Sequence, residues 1–285
     1  MRGVIIVPNP KKDISLAVTE RVVRKLISLD IKVYADASYA LLSDMGAVIY
    51  TVVPKDVDAV VVIGGDGSMI DASGIAIALD VPLLGVNLGR VGYLDAVDFD
   101  KLDLLDMLKQ SKLKIEEKLL LSASKIGKDG KVVSCDRKAV NDVVISHDNY
   151  FGISDFIVEN ESGDKLEYRA DGIILATPVG STAYSLSAGG PIISHGLDSI
   201  AVTPICPHSF FNRTVIYGAD EEIVITNIGD NSLNISVDGR YFDSIATGES
   251  CAVYKSAKRL KMLALTENNM FSVLFDKINV LKNKI

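Results

Sequence analysis

The run Ala59-Val60-Val61-Val62-Ile63 leads straight into Gly64-Gly65-Asp66-Gly67-Ser68, and this junction constrains the fold more than any other stretch. The apolar run shows no alternation, so neither face of its strand is meant for water. A strand buried on both faces belongs to a parallel sheet with helices above and below it. Glycines at 64, 65 and 67 permit positive φ and close backbone approach, so amides can converge on phosphate oxygens. Met69 to Leu79 is compatible with a helix, whose N-terminus adds positive partial charge. In open α/β sheets, ligands sit at such strand ends. Asp66 is the odd member of the loop. A carboxylate there repels phosphate unless it binds a metal, takes a proton from an attacking hydroxyl, or anchors a ribose. The plainer alternative is a tight turn in which Asp66 caps the next helix.

The neighbouring segments extend this pattern. Gly3 to Val7 reads as a strand stopped by Pro8-Asn9-Pro10, and Ser15 to Leu29 carries a helical stripe of Leu16, Val22, Val23, Leu26 and Ile27. Ile31 to Tyr34 and Pro82 to Val86 read as further strands, the latter ending at Asn87-Leu88-Gly89. Alternating strand and helix imply an open, mainly parallel, doubly wound sheet. A helix is expected around Leu102 to Leu108. Beyond it come short alternating segments separated by Gly-, Asn- and Asp-rich turns such as Lys128-Asp129-Gly130 and Gly229-Asp230-Asn231. That spacing predicts a mostly antiparallel β domain. The expected fold class is therefore an α/β domain over 1–110 followed by an all-β domain over 111–265. The mixed apolar and basic segment 266–285 is expected to pack back on the α/β domain. The cleft between domains is the default place for a site.

Composition narrows the function. With 48% hydrophobic and 24% charged residues and a net charge of −7, the chain has the balance of a globular protein and no basic block. This excludes a general role on nucleic acid or anionic membrane. An anionic ligand must then be held by local devices: loop amides, helix N-termini, single arginines. Cys135, Cys206 and Cys251 stand far apart and form neither a disulfide framework nor a zinc motif. Val4 to Val7 is too short for a signal-peptide core or a membrane span, so the expected location is cytoplasmic. His147, His195 and His208 lack metal-ligand spacing, and no Walker A loop occurs.

Two further segments carry polar chemistry. Arg169-Ala170-Asp171-Gly172 is followed, after a short apolar strand, by the hydroxyl- and glycine-rich run Thr177 to Pro191. Its small hydroxyls can bond a ligand's amide, ribose or phosphate, and Tyr184 offers a flat face; a capped connecting loop is the alternative. Asn141-Asp142 joins an amide to a carboxylate, a pair that can read an adenine edge and a ribose or can simply make a turn.

Taken in order along the chain, these segments resemble the NAD kinase family. The matching motifs are Gly64-Gly65-Asp66-Gly67, Asn87 through Leu94, Asn141-Asp142, Arg169 with Asp171-Gly172, Thr177 through Pro191, and Pro204 through His208. The resemblance implies a diacylglycerol-kinase-like α/β domain, an all-β domain, and a homodimer or homotetramer. It implies transfer of the γ-phosphate of ATP, with Mg²⁺, to the 2′-hydroxyl of the adenosine ribose of NAD, giving NADP. Polyphosphate as donor and NADH as acceptor stay open.

The implied roles fall on particular residues. Asp66 is the base for the ribose hydroxyl, with Gly64, Gly65 and Gly67 serving the phosphates and Asn87 beside that loop. Asn141 and Asp142 hold the adenosine part, Asp142 standing where a Glu is usual. Arg169 and Asp171 contact the substrate, Asp171 toward the nicotinamide end. Thr182, Ala183, Tyr184, Ser185, Leu186 and Ser187 form a second dinucleotide-contacting stretch, and Arg240 stands where a Gln is common. No protein side chain is assigned to the metal. A lipid or sugar kinase sharing the glycine loop, and a non-catalytic dinucleotide sensor, are the alternatives.

Overall fold

Strands without polar alternation need cover on both sides, and the chain supplies it. In the computed structural model, which describes residues 1–89, 92, 94, 96–110, 113–147, 152–208 and 211–265, strand β1 (Gly3–Pro8) lies parallel between β2 (Lys32–Asp36) and β4 (Ala59–Gly64). Strand β3 (Val48–Tyr50) extends β2, and β5 (Leu83–Asn87) extends β4. The sheet runs β3-β2-β1-β4-β5, then the strand Leu260–Leu263, then β7 (Ile115–Lys118), with β6 (Ala96–Asp98) paired on β5. Strand order reverses direction between β1 and β4. Helix α1 (Ala17–Ser28) buries Val22, Val23 and Leu26 in the core around β1 and β4, about 1.5–3 kcal/mol for each side chain. Ile27, expected on that stripe, is 39% exposed. Helix α2 (Asp66–Leu79) buries the small residues Ala72, Ser73 and Ala76 beside Met69.

One expectation holds in this unit and another changes. The helix expected around Leu102 to Leu108 is present as a 3-10 helix, Leu102–Lys109, and its buried residues Leu102, Leu105 and Leu108 follow the three-residue repeat of that form. Leu260–Leu263, expected in the all-β domain, instead joins the parallel sheet with Met262 opposite Leu83. A four-residue apolar run carries too little periodicity to name its sheet. Among the described residues, the first unit therefore comprises Met1–Glu117 with Leu260–Leu265, and the second Lys118–Arg259. The segment 266–285 lies outside the described residues.

The second unit is two antiparallel six-stranded sheets. In one, β8 (Leu121–Ile126) and β9 (Val132–Ala139) join β11 (Ser154–Asn160), β12 (Lys165–Ala170), β16 (Ile223–Asn227) and β19 (Ser250–Lys255). In the other, β10 (Asp142–His147) and β13 (Gly172–Ala176) join β14 (Ser199–Ile205), β15 (Val215–Gly218), β17 (Leu233–Val237) and β18 (Arg240–Ile245). Phe156, Val158 and Leu121 from the first sheet share one core with Val143, Ile145 and Ile173 from the second. The sequence reading did not anticipate β12, β14 or β18. Pro204 conceals β14; pairing with β15 ends at Val202, so the proline stands where its strand has β13 alone beside it.

Candidate active site

In the first unit, three strand ends meet where the strand order reverses. The parallel register sets Ile63 beside Pro8 and Gly64 beside Asn87, so the loops leaving β1, β4 and β5 are neighbours. Asn9 joins the first two: its backbone N–H donates to the Ile63 carbonyl at 2.9 Å and its Nδ2 to Ser68 Oγ at 2.7 Å. A β-carbon on Gly64 would collide with the Ser68 side chain, so the turn into α2 closes only around glycine. Gly65 is the N-cap, with no side-chain capping bond, and Asp66 is the first helical residue. This settles the capping alternative. The half-buried Asp66 carboxylate accepts from the Leu94 backbone N–H at 3.3 Å.

Gly92 lies against the same carboxylate; a β-carbon there would overlap Oδ1 and sit 2.9 Å from Cγ. Lys12 lies along the same loop, its ammonium 3.0 Å from where a Gly65 side chain would begin. Among the described residues no carboxylate pairs with that ammonium. Sequence reasoning missed Asn9 and Lys12. Their signal was the Pro8-Asn9-Pro10-Lys11-Lys12 turn closing a strand parallel to β4, which matters only once the strand order is known. Asn87 is buried beside Gly64. Arg90, Val91 and Tyr93, part of the motif after Asn87, lie outside the described residues.

In the second unit, the β10–β13 pairing puts Asp142 opposite Ala176, which brings Asn141-Asp142 against the turn that begins at Thr177. The fully buried Thr177 donates its N–H to the Asn141 carbonyl at 2.8 Å and its hydroxyl to the Val140 carbonyl at 2.7 Å. Gly180 packs on Asn141 so closely that a β-carbon would lie 2.8 Å from its Cα. Burial first, then Cys206, Asp171 and Asp142, lifts the Tyr184 hydroxyl above the ordinary tyrosine range. Burial, reinforced by the charge of Asp238, pushes the Asp142 carboxyl up to about 7.

The expected stretch 182–187 divides by exposure. Tyr184 and Leu186 are 46% and 36% exposed, and Ser187 is also exposed. Ser185 turns inward, its hydroxyl 2.9 Å from that of Thr203. Thr182 Oγ1 donates to the Val179 carbonyl at 2.9 Å, while Ala183 is half-buried just ahead of the short helix α3 (Tyr184–Ser187). Arg169 is exposed, with Asp155 at 3.9 Å, and its carbonyl accepts from the His208 N–H at 2.7 Å. Arg240 opens β18 directly after Asp238-Gly239, a turn with φ of 49° and 73°.

Family models divide the chain in the same order. The ATP-NAD kinase N-terminal domain matches residues 4–106, and the ATP-NAD kinase C-terminal domain matches residues 140–265. The chain belongs to the NAD kinase family. An NAD kinase of Natranaerobius thermophilus is 34% identical over 284 residues, covering 98% of each chain. An NAD kinase of Thermoanaerobacter sp. strain X514 is 32% identical over 286 residues, covering 98% of this chain and 99% of that one.

Two solved NAD kinase-type structures share the fold. A yeast NADH kinase complexed with NADH superposes with a TM-score of 0.84 at 23% identity, covering 98% of this chain and 88% of that one. An NAD kinase from Archaeoglobus fulgidus in complex with ATP gives 0.73 at 22%, covering 98% and 99%. Within this NAD kinase fold, the residue that sequence reasoning passed over in the second unit is Asp238. Its carboxylate accepts from the backbone N–H groups of Val140, Asn141 and Asp142 at 2.9, 2.7 and 3.2 Å. The dipeptide Asp238-Gly239 between β runs signals a hairpin, but nothing local names its distant partners.

Proposed function

We infer that the chain is an NAD kinase, moving the γ-phosphoryl group of ATP to the 2′-hydroxyl of the adenosine ribose of NAD to give NADP. The observation that carries this reading is Asp66: a half-buried carboxylate on the first turn of α2, in a glycine loop at the carboxyl end of a parallel sheet. Phosphoryl transfer passes through a loose transition state, so catalysis is mainly positioning and charge stabilisation. In the proposed reaction Asp66 takes the 2′-hydroxyl proton, the ribose oxygen bonds to the γ-phosphorus, and ADP leaves with the bridging electron pair. The Leu94 N–H holds Asp66 Oδ1 in place for that proton.

Gly64, Gly65 and Gly67 would supply amides without side chains in the way, and Lys12, beside Gly65, would supply positive charge for a phosphate chain. In the second unit, Asn141 and Asp142 would hold the adenosine, Tyr184 would offer its ring, and Arg169, Asp171 and Arg240 would contact the rest of the dinucleotide. The shorter Asp142 side chain, where a Glu is usual in the family, reaches about one methylene less far.

Among the described residues no three His, Cys, Asp or Glu side chains cluster to hold a metal. Mg²⁺ would enter with ATP, and Asp66 is the one carboxylate of the glycine loop that would stand near it. Bound so, the ion neutralises charge on the phosphates. No helix among the described residues is long and apolar enough to cross a membrane. A cytoplasmic location and a homodimeric or homotetrameric state belong to the proposal through family resemblance.

The decisive assay follows NADP formation with ATP-Mg²⁺ or polyphosphate as donor and NAD or NADH as acceptor. Phosphorylation of a lipid or sugar with none of NAD would overturn the reading, as would tight NAD binding without any product.

A further inference from the structure

We infer that Asp238 is a positioning residue for dinucleotide recognition: from the turn between β17 and β18 it locks the backbone of Val140, Asn141 and Asp142 and stands as a charged neighbour to the Asp142 carboxylate. This rests on the kinase reading only in naming the dinucleotide as what Asn141 and Asp142 hold.

The lock is complete in hydrogen-bonding terms. Asp238 accepts from the N–H groups of Val140, Asn141 and Asp142, and its own N–H donates to the Asp142 carbonyl at 3.0 Å. Thr177 takes up the other two carbonyls, those of Val140 and Asn141. Asp238 and Thr177 thus engage all six backbone polar groups of the tripeptide, leaving its side chains to meet a ligand. The turn that bears Asp238 requires left-handed backbone at both central residues, the geometry that Asp-Gly hairpins adopt. Among the described residues, no donor bonds the Asp142 carboxylate, although it is 5% exposed. Such a carboxylate, bonded by no protein donor, can accept from the groups that a ligand brings.

The same geometry places the half-buried Asp238 carboxylate close to the buried Asp142. Asp238 has three amides to stabilise its charge and Arg137 nearby, which oppose the effect of burial. Asp142 has no such help. Burial, with the charge of Asp238 on the β17–β18 turn, pushes it up to about 7, and its charge in turn acts on Tyr184 of α3. Asp142 is therefore the member that takes a proton near neutrality. Protonation turns its acceptor into a donor and weakens its hold on ligand hydroxyls and amino groups.

The test measures KM for NAD and for ATP-Mg²⁺ between about pH 5.5 and 8.5 on the full chain, wild type, Asp238→Asn and Asp142→Asn. In the wild type, KM for NAD rises as pH falls through the Asp142 midpoint. Asp238→Asn raises KM for NAD about tenfold through one lost charged hydrogen bond, leaves KM for ATP-Mg²⁺ unchanged, and moves the midpoint to lower pH because a neighbouring charge is gone. Asp142→Asn flattens the profile.

Equal rises in both KM values, or an unmoved midpoint, overturn the proposal. If Asp238→Asn does not fold, the other two proteins still decide: a flat wild-type profile, or one that persists in Asp142→Asn, overturns it. Should the wild type form no NADP at any pH, the kinase reading falls separately. Carboxyl ¹³C titration of Asp142 in wild type and Asp238→Asn then judges the coupling, and an unmoved midpoint overturns it.

Discussion

Gly92 and the Asp66 carboxylate occupy one another's van der Waals boundary: a β-carbon on Gly92 would overlap Asp66 Oδ1 and lie 2.9 Å from Cγ. Two residues away, the Leu94 N–H donates to that same oxygen. Gly92 and Leu94, both after β5, therefore help to set where the carboxylate stands, one by close approach and one by its backbone N–H.

Gly92→Ala is expected to displace Asp66 and lower kcat at least about tenfold, with a stability loss of about 1–3 kcal/mol from overpacking. Steady-state kinetics with a thermal melt separates the effects. A fully active alanine variant would mean that Asp66 can move without harm, against its proposed duty.

Replacing Asp66 by Asn keeps the shape and removes the proton acceptor. The expected fall in kcat is about 10²- to 10⁴-fold, while NAD binds as before in equilibrium dialysis. An unchanged kcat would remove Asp66 from the base role.

Lys12→Met should raise KM for ATP-Mg²⁺ about tenfold, since one cation-to-phosphate contact is worth roughly 1.5–3 kcal/mol. KM for NAD stays unchanged, and Lys12→Arg restores most of the loss. Equal effects on the two substrates would assign Lys12 to loop shape instead.

Asp142 also leaves a mark on stability. Its folded pKa of about 7 exceeds the unfolded value of about 3.9. The folded state therefore binds the proton more tightly. Its contribution is fully present below about pH 4 and is lost as pH rises through about 7. Asp142→Asn removes that loss, so the variant should gain up to about 4 kcal/mol on wild type at pH 8 and little at pH 4. Urea unfolding at the two pH values checks it, and a gain of equal size at both would refute the account.

Much of this was legible in the chain. Ala59–Ile63 announced a doubly covered strand because unbroken β-branched residues suit nothing else, and the Thr177–Pro191 run stood out because hydroxyls and glycines make a poor core. Other features were hidden for identifiable reasons. Leu260–Leu263 was too short to declare its sheet, Pro204 disguised β14, and Ser185 looked like a ligand contact until its hydroxyl proved engaged with Thr203. Lys12, Asn9 and Asp238 carry no local mark of function, since each acts across a gap of dozens of residues.

The sequence by itself determined the two textures of the chain, the Asp66 loop between its strand and helix, and the ordered motifs of the family. These are properties of neighbours, set by side-chain period, by glycine's freedom and by residue chemistry. Only the tertiary structure decided that Gly92 walls in Asp66, that Lys12 stands over Gly65, and that Asp238 grips Val140, Asn141 and Asp142. Those are meetings between distant segments, fixed by strand order and register.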